Sequence, residues 1–231
     1  MIDDAGDDRL PLVDVSALTP EQREVYDAIG TSRRRRPAGE RAPRPKEPAP
    51  KDPAPKDSAP PARARPALRW TDADGRLLGP FNAMLYSPPV GLPLQELGAA
   101  IRFRTSFTAR ERELATLVVA AHWRSDYEWY AHERIGRGAG LTDEELSALR
   151  TGRRPPLADQ RERVVYEVAR VLTAAGDLDD ARYAEAAAAL GRPLLVELVT
   201  LVGYYAALAL QLRVFRVGVP PGEPDAGWAD P

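Results

Sequence analysis

Apolar side chains recur at helical spacing along most of the chain, and no long stretch alternates between apolar and polar residues as a half-buried strand would. Ser or Thr precedes Glu or Gln by three residues at positions 19, 108 and 125, which is the signature of a capping box at a helix start. Gly-Arg-Pro at 191–193 is expected to break the chain between two helices. The sequence therefore predicts an all-α fold with helices over residues 20–30, 81–86, 92–103, 108–122, 125–138, 142–149, 159–174, 180–190 and 194–217.

Residues 33–66 have a different composition, with ten prolines and almost no large apolar side chain. Such a segment buries too little surface to offset the entropy of ordering, so we predict a disordered insert. It carries eleven Lys and Arg against four Asp and Glu, a net +7, which leaves −9 for the rest of a chain whose total is −2. The basic arm could attach to nucleic acid, another anionic surface or the acidic core itself. A solubilising linker is the favoured interpretation, and nucleic-acid binding is not expected, because no aromatic residues are interleaved for base stacking.

These features divide the chain into an N-terminal arm with the first helix (1–32), the basic insert (33–66), a helical domain (67–217) and a Pro/Gly-rich tail (218–231) expected to be flexible. The N-terminus shows no signal peptide, which predicts a cytoplasmic protein. Glu197 and other polar residues interrupt the apolar last helix, so no membrane span is predicted. Its apolar residues occupy more than one face, as in a core or subunit-interface helix.

The chain has no cysteine, which excludes disulfides, thiolate metal sites and cysteine nucleophiles. Its only histidines are His122, near the end of a helix, and His132. A metal site would need both histidines together with carboxylates, so none is predicted.

The best candidate for chemistry lies between residues 109 and 145. Ser125, Glu128, Trp129 and His132 are spaced at i, i+3, i+4 and i+7, which places them on one face of a helix. Glu113 lies on the preceding helix, and about two residues join the two helices. Because helices joined by so short a connection pack as neighbours, Glu113 and His132 are expected to meet.

This region resembles the carboxymuconolactone decarboxylase family, which includes the alkyl hydroperoxidase D proteins. In the redox members a glutamate precedes a Cys-x-x-Cys motif, and a histidine follows four residues after the second cysteine. Glu113 and His132 fit that glutamate and histidine, while Ser125 and Glu128 stand at the cysteine positions. The segments at 79–81, 87–89, 128–132 and 140–142 are similar to the cysteine-free branch, and the resemblance covers residues 16–31 and 77–217.

The resemblance implies a compact alkyl hydroperoxidase D-like helical domain that forms a homo-oligomer, a trimer or a hexamer. It also implies a lyase that decarboxylates, or moves a proton on, a small unsaturated acid or lactone without a cofactor. Glu113, Glu128 and His132 would form its catalytic site, with His132 transferring the proton and a carboxylate orienting it. Thiol peroxidase activity is disfavoured because it requires a thiolate. An arginine at position 102, 104 or 112 could hold a substrate carboxylate.

Each candidate also has a structural interpretation. Ser125 and Glu128 could serve only as a capping box, Glu113 could be an ordinary helix carboxylate, and His132 could be a hydrogen-bonded core residue. The protein would then be a non-catalytic oligomeric scaffold or a small-molecule-binding protein of the same fold. The two functions differ in whether the three side chains converge on a cavity that water can reach.

Overall fold

Eight α-helices make up most of the residues described by the computed structural model, which are 9–34 and 68–228. Within these ranges the only pairing between extended segments is a single bridge between Thr71 and Leu77, and the all-α prediction is confirmed. Residues 35–66 of the predicted disordered insert lie outside the described residues. The helices are α1 (Pro20–Arg34), α2 (Pro80–Tyr86), α3 (Pro88–Phe103), α4 (Ala109–Trp123), α5 (Asp126–Gly138), α6 (Asp143–Arg150), α7 (Gln160–Ala175) and α8 (Asp180–Val214).

Helix α8 ends at Val214 rather than at 217, and two other helix boundaries differ from the sequence prediction by four residues. Helix α1 continues four residues beyond 30 and includes the first two residues of the predicted insert. Pro88 and Pro89 do not separate two helices but form the first turn of α3, where a missing backbone N–H costs nothing. A Cβ at Gly91 would lie 2.1 Å from the carbonyl oxygen of Met84, so the corner between α2 and α3 closes only around a glycine.

A side-chain cap begins α4 as the sequence predicts, and another begins α6. The Thr108 hydroxyl accepts a hydrogen bond from the backbone N–H of Glu111, whose carboxylate accepts one from the backbone N–H of Thr108. Thr142 and Glu145 repeat this capping box at α6. The box predicted at Ser125 and Glu128 is wrong, because Ser125 occupies the N-cap of α5 without a side-chain capping bond. The Glu128 carboxyl is therefore not used at the helix end.

The core forms around α4, which packs against α5, α7 and α8. Leu114, Leu117 and Val119 of α4 are fully buried, as are Leu198 and Leu201 of α8. Because α4 is surrounded by other helices, it has buried side chains on nearly all sides.

Helix α8 consists of two helical segments joined at Gly191, whose positive φ of 75° makes the break that the sequence predicts. Among the described residues, α8 is the one helix whose length and composition would allow it to cross a membrane. Half of its most apolar window is buried inside the protein, and core helices of soluble proteins pass the same test.

The C-terminal tail, which its composition predicts to be flexible, packs on the domain as far as Trp228. The Glu223 carboxylate pairs with the Arg134 guanidinium of α5 in a largely buried ion pair. The Trp228 ring packs edge-on against Trp129 at 5.4 Å between ring centroids. These two contacts hold the tail against α5 despite its Pro/Gly-rich composition. Residues 229–231 lie outside the described residues.

Candidate functional site

The turn between α4 and α5 brings the predicted site residues together. Arg124 ends α4 in the left-handed conformation, with φ of 47°, and Ser125 begins α5. The two helices therefore run back along each other. Oε2 of Glu113 on α4 lies 2.7 Å from Nδ1 of His132 on α5, which is the meeting expected from the sequence.

Glu113 is buried and held on both sides. Its other oxygen accepts a hydrogen bond from Nε of Arg112 at 3.3 Å, and Arg112 also donates to the backbone carbonyl of Arg102. A carboxylate on Nδ1 keeps the proton of a neutral imidazole on that nitrogen, so Nε2 becomes the atom that accepts or delivers a proton. Nε2 of His132 has no hydrogen bond within the part of the chain that the structure describes.

His132 and Glu128 both line a small cavity of about 60 Å³. Glu113 is not part of the cavity wall and reaches it only through His132. The remaining wall is largely aromatic and aliphatic, and comprises Leu68, Trp70, Pro80, Phe81, Arg102, Tyr127, Ala131, Ile135, Tyr204, Tyr205 and Leu208. The cavity thus combines an apolar surface with a few polar groups, as small-molecule sites commonly do.

Glu128 is the least compensated carboxyl of the site. It is only 3% exposed, and neither of its oxygens forms a hydrogen bond of normal geometry among the described residues. Burial raises the pKa of the Glu128 carboxyl to about 8, and the nearby Ser125 hydroxyl offsets part of the rise. Glu128 is therefore mostly protonated at neutral pH, so that it can donate a hydrogen bond into the cavity.

Two adjacent tyrosines on α8 complete the wall beside the histidine. The ring of His132 meets the ring of Tyr205 edge-on at 5.0 Å, and Tyr205 meets Tyr204 in the same way at 5.1 Å. Burial raises the pKa of both phenols. Sequence analysis missed them as site residues; the signal was a pair of polar aromatics in an otherwise aliphatic helix.

Of the other candidate side chains, some line the cavity and others lie away from it. Arg102 lines the cavity, whereas Arg112 is engaged with Glu113 and Arg104 lies exposed just after α3. Trp129 packs in the core and His122 is exposed near the end of α4. The described residues contain no group of three or more His, Asp or Glu arranged to hold a metal ion.

Comparison with known proteins finds a family model that matches part of the chain. Residues 88–171 match the family model described as the carboxymuconolactone decarboxylase family. The match runs from the start of α3 into α7, so it includes Glu113, Glu128 and His132, whereas Tyr204 and Tyr205 lie outside it. No curated protein matches the chain.

Proposed function

We propose that this protein, whose residues 88–171 match the carboxymuconolactone decarboxylase family model, is a cofactor-independent lyase or proton-transfer enzyme. Its substrate would be a small unsaturated acid or a lactone. The observation that carries the proposal is the Glu113–His132 pair placed behind a cavity, with the protonatable Glu128 on the same wall.

The proposed reaction breaks the bond between a carboxylate carbon and the carbon that carries it. Carbon dioxide leaves, and the bonding electrons pass into an enolate-like or dienolate-like system. His132 in its protonated form delivers the proton from Nε2 to the carbanion carbon, while Glu113 on Nδ1 stabilises the positive charge of the imidazolium beforehand. In a proton-transfer reaction without decarboxylation, the neutral His132 removes a proton from one carbon and returns it to another.

Glu128 has a separate role in this scheme. A protonated carboxyl in an apolar site donates a hydrogen bond to the oxygen on which negative charge develops, and a preorganised donor of this kind stabilises the transition state. Arg102 is the candidate partner for the substrate carboxylate, because it is the cationic side chain on the cavity wall among the described residues.

The proposal is tested by following solvent-deuterium incorporation and carbon dioxide release from a panel of small β-keto acids, β,γ-unsaturated acids and lactones in D₂O. His132→Gln is expected to lose about 10²–10⁴-fold of the activity, because glutamine can still hydrogen-bond to Glu113 but cannot exchange a proton near neutral pH. Its melting temperature should change little. His122→Gln, at an exposed site, is the matched control and should keep full activity. A folded His132→Gln protein with full activity would refute the assignment.

A second candidate function is a non-catalytic scaffold or small-molecule-binding protein. The observation in its favour is the cavity volume of about 60 Å³. A cavity this small admits a substrate only where it is open to solvent or where its wall shifts. Binding of panel compounds with no deuterium exchange, in wild type and His132→Gln alike, would favour this candidate.

The proposal includes assembly into a homo-oligomer, a trimer or a hexamer, in the cytoplasm. Its support is a stripe of exposed apolar side chains along α8, formed by Val196, Val199, Leu210 and Val214. Exposed apolar stripes on a helix commonly mark a protein–protein contact. Val199→Asp should reduce the mass measured by light scattering, whereas Val90→Asp on α3, also at an exposed valine, should not. A monomeric wild-type protein at micromolar concentration would contradict assembly.

A further inference from the structure

Two polar groups of the cavity wall border the same small residue. A Cβ at Gly98 of α3 would lie 2.1 Å from the Tyr204 hydroxyl oxygen and 3.0 Å from Nη1 of Arg102. The glycine therefore leaves the space in which the hydroxyl and the guanidinium lie side by side. Both residues line the cavity that holds His132 and Glu128.

The Tyr204 hydroxyl has the Arg102 guanidinium beside it, but neither group has an acidic partner among the described residues. Tyr204 is only 4% exposed, and its hydroxyl forms no hydrogen bond of normal geometry among the described residues. Buried tyrosine hydroxyls usually find a partner, because an unmet hydrogen bond costs free energy. Within the described ranges Arg102 forms no ion pair, in contrast to Arg110, Arg112 and Arg134, each of which is paired with a glutamate.

We propose that Arg102 and Tyr204 form a carboxylate-binding subsite and that the ligand of this cavity is a small unsaturated monocarboxylate. The guanidinium supplies the counter-charge and the phenol donates a second hydrogen bond to the same carboxylate. This inference rests on the proposed function for the identity of the cavity as the active site. It extends that function by naming the second binding group and the charge of the substrate.

The limit to one carboxylate follows from the lining. Among the described residues of the wall, Arg102 is the one Arg or Lys; His132 is already paired with Glu113, and Glu128 is acidic. A second carboxylate would lose its hydration against Phe81, Tyr127 and Leu208 without a counter-ion, which is strongly unfavourable. The unsaturated body of a monocarboxylate suits these aromatic and aliphatic surfaces.

The test compares three four-carbon probes that share one unsaturated skeleton. Crotonate carries one carboxylate, fumarate replaces its methyl group by a second carboxylate, and crotonamide replaces its carboxylate by a neutral amide. Binding to the full chain is measured by NMR titration. Wild-type protein is expected to bind crotonate at least about tenfold more tightly than either of the other two, since one charge-assisted pair is worth roughly that factor or more.

Variants assign the effect to the two residues. Arg102→Gln should weaken crotonate binding by about tenfold or more and remove the preference over crotonamide. Tyr204→Phe should weaken it by about fivefold. Tyr130→Phe is the matched control, because it also removes a buried hydroxyl without a partner but lies outside the cavity wall, and it should leave crotonate affinity unchanged. If Arg102→Gln fails to fold, Arg102→Lys can replace it. Lysine keeps the positive charge but not the bidentate guanidinium, so crotonate affinity should fall by less than in Arg102→Gln.

The subsite is overturned if fumarate binds as tightly as crotonate, if crotonate does not bind at millimolar concentrations, or if the arginine variants bind crotonate normally. Because binding is measured without turnover, the two proposals can fail separately. Arg102-dependent crotonate binding with no His132-dependent exchange on any acid would leave the subsite standing and refute the enzyme. His132-dependent turnover with a preference for dicarboxylates would support the enzyme and refute the monocarboxylate subsite.

Discussion

Helix α4 contributes Arg110 to one buried carboxylate cluster and Glu113 to another, and the two clusters differ in how their charges are compensated. Arg110, in the first turn, donates to both oxygens of Glu162, to Glu145 and to the backbone carbonyl of Gly140, so that every carboxylate in its reach is paired. In the second cluster Glu113 is paired with His132, but Glu128, beside the cavity, forms no hydrogen bond of normal geometry among the described residues. The first arrangement fastens α4, α6 and α7 together, and the second leaves polar groups available to a ligand.

The pKa directions of the two clusters follow the same division. Burial acts to raise the pKa of the Glu145 carboxyl, but its hydrogen bonds with Arg110 and with the capping residue Thr142 outweigh burial and bring it below its usual range. Among the described residues Glu128 has no cationic partner, and the Ser125 hydroxyl offsets only part of the effect of burial, so the pKa rises. A buried acid that remains protonated at neutral pH is more typical of an active site than of a structural ion pair.

Breaking the paired cluster should have the largest effect on stability. Arg110→Met leaves Glu145 and Glu162 buried without their counter-charge and is expected to lower the free energy of unfolding by about 3 kcal/mol. Urea denaturation followed by circular dichroism measures this loss. Arg170→Met, which removes an exposed pair with Glu167, is the control and should change stability by about 0.5 kcal/mol or less. Equal losses in the two variants would show that the Arg110 cluster is not structural.

Replacing Glu128 by glutamine should raise the free energy of unfolding, by less than the Arg110 variant lowers it. The size of this increase should depend on pH. The folded protein holds the Glu128 proton up to about pH 8, whereas the unfolded chain releases it near 4.5. Wild type therefore loses stability as the pH rises through this window, and the neutral Glu128→Gln variant does not. At pH 9 the variant should be the more stable by on the order of 2–3 kcal/mol, a value reduced by water entering the cavity, and at pH 4 the two should be equal.

Measuring melting temperatures of both proteins from pH 4 to pH 9 gives the difference directly. Glu162→Gln is the control, since it removes a buried carboxylate that is paired with Arg110 and should destabilise the protein at neutral pH. A Glu128→Gln protein that is less stable than wild type at high pH would show that Glu128 is an ionised, compensated residue like Glu145.

The sequence predicted what local chemistry determines. The helix pattern, the capping box at Thr108 and the meeting of Glu113 with His132 all follow from spacing over a few residues or across one short turn. It failed where distant segments decide the outcome. Residues 125 and 128 carry the same capping signature as 108 and 111, but tertiary packing buries Glu128 at the cavity instead.

Long-range packing also explains the residues that sequence analysis missed. Tyr204 comes to the site from α8, about seventy residues after His132, and meets Arg102 of α3 only in the folded protein. The proline and glycine content of the tail predicts a flexible segment. In the folded protein Glu223 pairs with Arg134 and Trp228 packs on Trp129, and no local sequence pattern indicates these contacts. Local signals thus gave the helices and one pair of the site, and the cavity required the fold.

The protonation state of Glu128 tests the difference between the two clusters most directly. Carbon-13 NMR of protein labelled at the glutamate carboxyl groups follows each carboxyl as the pH is raised, and the resonance absent from Glu128→Gln identifies this one. We predict that it titrates near pH 8 while the resonance of Glu145 is already that of a carboxylate at neutral pH. A Glu128 resonance that titrates near 4.5 would contradict the account, because the cavity would then hold an ordinary ionised carboxylate.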